Sequence, residues 1–93
     1  MAKFVALVTF VPDTEKRLAV RQTHREYLKS LFDAGKLHES GPYLDDSGAL
    51  IIYEAADEAA ARELIANDPY TPAGIIANLE LKEWNRVFPP PAS

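Results

Sequence analysis

Four residues in this sequence are of types that could do chemistry together: His24 in "VRQTHREYL", Arg17 and Arg21 before it, and Asp68 in "NDPY". Imidazole gains and loses a proton near neutral pH. A carboxylate bonded to one of its ring nitrogens fixes the tautomer and turns the other nitrogen toward a substrate proton. Arginines nearby supply planar donors for a substrate carboxylate. The chemistry these types describe is proton transfer on a small anion.

The positions of these residues depend on the elements that carry them. "TEKRLAVRQTHREYLKSLFDAG" reads as a helix of about six turns, with Asp13 or Thr14 able to cap its start and Gly35 its end. At about 100° per residue, Val20, Tyr27, Leu28, Leu31 and Phe32 fall within one arc of roughly 140° that faces the sheet. His24, Arg17 and Arg21 fall in the same arc, so the stripe turns from apolar to basic toward the helix start. One reading has the arginines snorkelling past the core and His24 bonded to a backbone carbonyl. The other makes the three a functional site. Burying guanidinium groups calls for compensating negative charge, from protein carboxylates or from an anionic ligand.

Asp68 follows a short helix, "EAAARELIAN", capped by Asp57 and carrying Ala61, Leu64 and Ile65 on its core face. The step of four from Leu64 brings Asp68 onto that face. There it is either a plain Asp-Pro helix stop or the partner of His24 across neighbouring helices. Ser40 and Gly41 in "ESGPY", where Gly41 and Pro42 are expected to bend the backbone, are candidates for binding a substrate oxygen. Tyr70 in "PYTPAG" is a candidate for the pocket mouth, though each also fits a structural role. His38 beside Glu39 is too little for a metal site, so no metal is assigned. Trp84 is expected in the core or a dimer interface. With no dinucleotide or phosphate-loop fingerprint, no cofactor is expected.

The remaining stretches fix the order. "FVALVTFV" (Phe4 to Val11) is a strand covered on both faces, "KLHESGPYL" and "ALIIYEA" form a hairpin about "DDSG", and a last strand lies near "NLELKEWNRVF". The expected fold is α+β: a ferredoxin-like βαββαβ chain with a four-stranded antiparallel sheet and two helices on one face. Its bare sheet face predicts a homodimer packed sheet to sheet, with higher assembly left open. Residues 1–88 form one domain and 89–93 a proline-rich tail, either extended, disordered or crossing to a partner. The net charge of −4 argues against a nucleic-acid binder, and no apolar run is of membrane length. The chain has no cysteine, so a disulfide or thiolate site is excluded. The opening "MAKFVALVTFVP" lacks an evident cleavage site, and the expected location is cytoplasmic.

The strings "EKRLAVRQTHREYLKSLFDAGKLHESGP", "NDPYTPAG" and "WNRVF" resemble the YCII-related family, whose members look like relatives of muconolactone isomerase and of a chloromuconolactone dehalogenase. The most specific parts are "R..H", "GP" and "DPY..AG". The resemblance implies the dimeric α+β barrel and an active site whose histidine and aspartate fall on His24 and Asp68. Several relatives carry a longer insertion where this chain has only "YLDDSG". Two functions are expected on this basis. The first is an isomerase-, lyase- or dehalogenase-like enzyme in which His24 and Asp68 move a proton on a carboxylate-bearing substrate held by Arg17 or Arg21. The alternative is a non-catalytic binding or sensing module for a small anionic metabolite.

Overall fold

The structure is a computed structural model describing residues 1–90. Its elements are β1 (Ala2–Phe10), α1 (Thr14–Asp33), β2 (Leu37–Pro42), β3 (Gly48–Ala55), α2 (Glu58–Ala66) and β4 (Ile76–Trp84). The strands form one antiparallel sheet in the order β2-β3-β1-β4, the ferredoxin-like α+β arrangement. Alternation along the strands sends Ala6 and Val8 of β1 and Ile51 and Tyr53 of β3 to one face. There they join Leu28 and Leu31 of α1 and Ile65 of α2 in the main core. Both helices therefore cover the same face. Val5 and Leu7 on the other side of β1 are only half-buried.

Local chemistry sets the helix ends. Asp13 Oδ1 accepts from the Lys16 amide at 3.0 Å, and Asp57 Oδ1 from the Ala60 amide at 2.8 Å, each satisfying a first-turn N–H. Gly35 follows α1 at φ 76°, a left-handed conformation that side-chain-bearing residues avoid. Gly48 opens β3 for a different reason. A Cβ there would lie 1.9 Å from the Val8 carbonyl oxygen, so only glycine lets β3 come alongside β1.

Several boundaries differ from the sequence expectation. The first strand starts at Ala2 and ends at Phe10. The last strand stops at Trp84, not near Phe88, because β1 has little chain left to pair beyond Lys3↔Trp84. Trp84 is 40% exposed and thus outside this chain's core. Phe32, expected to face the sheet, is 60% exposed. It lies at the edge of the arc, on the flank of α1 that overhangs the edge strand β2, beside Arg25 and Lys29. Gly41 and Pro42 do not interrupt β2. They pair regularly with Leu50 and Ala49, and the irregularity falls instead between Leu37 and Glu39. Of the proline-rich tail, Pro89 and Pro90 lie outside any helix or strand, and 91–93 lie outside the described residues. Among the described residues no helix is long and apolar enough to cross a membrane.

Candidate active site

The wheel position of His24 carries it under α1 to the sheet, where it is buried. Just past α2, the Asp68 amide bonds the Ile65 carbonyl at 3.1 Å, which turns the Asp68 side chain inward until only 2% of the residue is exposed. The two groups meet: His24 Nδ1 lies 2.8 Å from Asp68 Oδ1 and 2.9 Å from Oδ2. The Tyr70 amide donates to Asp68 Oδ1 at 2.9 Å, a turn that the Asp-Pro-Tyr sequence closes on itself. That turn also lays the Tyr70 ring flat on the imidazole, with centroids 3.8 Å apart and planes 2° from parallel. Tyr70 thus holds the carboxylate by its backbone and the imidazole by its ring. Phe10 meets Tyr70 edge-on at 5.8 Å.

Above the pair is an open cavity of about 280 Å³, and His24 is part of its lining. With Nδ1 committed to Asp68, Nε2 is the nitrogen left for a ligand. The residues expected to bind substrate all line the cavity as well: Arg17, Arg21, Ser40, Gly41 and Tyr70. Ser40 pairs with Ile51 on the helix-covered side of the sheet, which is how it reaches the cavity. Asp68 sits below, in a constricted space of about 10 Å³ with Tyr53 and Ile65.

Three contributors went unrecognised in the sequence. Phe10 carries the Arg17 guanidinium over its ring at 4.7 Å, a cation–π contact. Asp46, from the β2–β3 turn, forms an ion pair with Arg17 through Nη2 and Oδ2. Arg25 lines the cavity one helical turn beyond Arg21. That spacing of four was a usable signal for Arg25, while nothing local pointed to Asp46. The described residues contain no group of three or more His, Cys, Asp or Glu side chains placed to hold a metal, and His38 lies 3.7 Å from Glu39.

The electrostatics of the floor are readable from its phenols. Burial first, then the negative charge of Asp68, pushes the Tyr53 hydroxyl far above its ordinary pKa. The same two causes raise Tyr27, whose hydroxyl donates to the Leu64 carbonyl at 2.6 Å. Tyr70 is also raised, by burial, although the neighbouring Arg17 and Arg21 pull the other way. A consequence for stability follows for Tyr53. The folded chain keeps this proton at a pH where the unfolded chain loses it, so the contribution is whole below the ordinary value of 10.0 and drains as pH rises past it. Urea melts across that range should show stability falling above about pH 10, with a shallower fall in Tyr53→Phe. An identical slope in both proteins would contradict this.

Fold and site together define a small α+β protein of ferredoxin-like order with a carboxylate-held histidine beside a basic cavity. The chain belongs to the YCII-related family, whose domain matches residues 2–85. It is 34% identical to an uncharacterized protein of Haemophilus influenzae, over 91% of this chain and 98% of the relative. It is 33% identical to Protein YciI of Escherichia coli, over 80% of this chain and 86% of that one. Among solved structures it is similar to the 5-chloro-2-hydroxyhydroquinone dehydrochlorinase TftG of Burkholderia phenoliruptrix, in complex with 2,5-dihydroxybenzoquinone. The match has a TM-score of 0.79 and 27% identity, covering 89% of this chain and 93% of that one.

Proposed function

We propose that the protein is a small-molecule enzyme of the isomerase, lyase or dehalogenase kind, in which His24 transfers a proton on an anionic substrate, such as one bearing a carboxylate. One observation carries this reading: an imidazole whose Nδ1 is bonded to a buried carboxylate lines an open cavity rimmed by arginines. Asp68 accepts the Nδ1 proton, which leaves the Nε2 lone pair as the base, and the arginines bind the substrate's negative group. The proton taken by Nε2 is returned at another carbon in an isomerisation. In an elimination it stays on Nε2 while the leaving group departs with its bonding pair, so neither step needs an oxidant. Ser40 and Gly41, on β2, line the same cavity and bind substrate oxygen. The likeness to a dehydrochlorinase supports this reading at the level of reaction class.

The test uses that relative's substrate and ligand as probes. Chloride release from 5-chloro-2-hydroxyhydroquinone, and exchange of the ring protons of 2,5-dihydroxybenzoquinone for deuterium, are measured with the wild type and with His24→Ala. Either activity in the wild type and its loss in the variant supports the proposal. Equal rates in both proteins, or neither activity in the wild type, overturns it.

The proposal includes a homodimer. Val5, Leu7 and Leu50, only half-buried, make an apolar strip on the sheet face that the helices leave uncovered, beside the exposed Trp84, and a second copy laid sheet to sheet would cover it. Sedimentation at twice 10.3 kDa is expected, and a 10.3 kDa species at all concentrations would contradict it.

A further inference from the structure

A cavity suited to an anion holds a carboxylate of its own. Asp46 reaches it from a turn whose shape is fixed locally. The Asp46 amide donates to the Tyr43 carbonyl at 2.9 Å, and Asp45 Oδ1 accepts from the Ser47 amide at 3.0 Å and from its hydroxyl at 2.7 Å. Asp46 itself has φ 63°, the left-handed region that aspartate adopts more readily than most residues. Its carboxylate is thereby carried to Arg17, whose side chain is only 5% exposed, while that of Asp46 is 57% exposed.

A buried guanidinium with no counter-charge is strongly disfavoured, and Asp46 supplies that charge from within the chain. Arg17 is then already matched before any ligand arrives. Arg21 and Arg25, on the same helix and lining the same cavity, have no carboxylate within 4.0 Å among the described residues. Phe10, Leu28, Ala49 and Ile51 add apolar surface to the same lining. With the imidazole uncharged in its base form, three guanidinium groups and the carboxylates of Asp46 and Asp68 give these groups a net charge of +1.

We propose that Asp46 is the specificity-determining residue of the cavity: by neutralising Arg17 it leaves Arg21 and Arg25 to bind a single anionic head on an apolar or aromatic body, and it selects against dianions. The inference rests on the proposed function in taking this cavity as the ligand site. A second negative group on the ligand meets no unmatched cation near Arg17, and the Asp46 carboxylate repels it.

Benzoate and phthalate, one aromatic body with one or two carboxylates, are titrated calorimetrically at fixed ionic strength and neutral pH. Asp46→Asn is expected to shift the ratio of their affinities toward phthalate by about tenfold, because it adds one unmatched charge to the wall. The double variant Asp46→Asn/Arg17→Met removes that cation too and should restore the wild-type ratio. Where the single variant is too unstable to titrate, a greater rise in its Tm with phthalate than with benzoate reads the same preference. An unchanged ratio in Asp46→Asn overturns the inference, and so does a shifted ratio that persists in the double variant, or a wild type that binds neither anion. The measurement reads binding alone. Charge selection without turnover would therefore leave this inference standing while the catalytic reading fell, and turnover without charge selection would do the reverse.

Discussion

Replacing His24 with alanine is expected to lower turnover by about 10²- to 10⁴-fold, the range that a positioned acid–base side chain contributes. The fold should survive. His24 lies at the junction of core and cavity, so its removal enlarges an existing space and leaves Asp68 with the Tyr70 amide as its remaining donor. A carboxylate that has lost one partner and lies beside new solvent-accessible volume can be reached by water, which limits the structural penalty. Loss of rate with a cooperative melt retained is the expected pattern. A variant that melts normally and turns over at the wild-type rate would remove His24 from the chemistry.

Asp68 should give two different results depending on what replaces it. Alanine removes the acceptor from both the imidazole Nδ1–H and the Tyr70 amide at a site that is 2% exposed. Leaving these two buried donors without an acceptor costs about 1–3 kcal/mol each. That is a large part of the roughly 5–15 kcal/mol that holds a domain of this size together, and Tm should fall by about 10 °C or more. Asparagine keeps the shape and can still accept from the Tyr70 amide, so its melt should stay near that of the wild type. Its NH2 group, turned toward Nδ1, forces that nitrogen to accept and moves the ring proton to Nε2. The base is then blocked, and turnover should fall to about the level of His24→Ala. A merely structural role for Asp68 predicts the opposite pairing, with rate following stability in both variants.

Much of this was legible in the sequence because periodicity is. The wheel that placed Leu28 and Leu31 on the sheet placed Arg17 and His24 there with them, and all four are buried. Asp68 was legible as the next step along the Leu64 face of α2. What the sequence did not contain was anything set by the meeting of distant segments. Asp46 belongs to a turn that folds back over α1, and its only trace was the general requirement that buried arginines find negative charge. Arg25 falls about 20° outside the arc drawn through the apolar residues, on the flank that overhangs β2, and so was not singled out. Phe32, at the arc's edge on the same flank, was read as core for the converse reason. The reach of a helix face depends on how far the sheet beneath it extends, and β2 is its edge. The stacking of Tyr70 on His24 arises from the Asp-Pro-Tyr turn, which carries a turn signal in its residues but no direction for the ring.

The central claim concerns one proton on one ring, and long-range 1H–15N correlation spectra of uniformly 15N-labelled protein observe it directly. In its neutral form the wild-type ring should show a protonated Nδ1 and a bare Nε2, and Asp68→Asn should show the two exchanged. A wild-type ring carrying its proton on Nε2, or a tautomer that the Asp68 substitution leaves unchanged, would contradict the account.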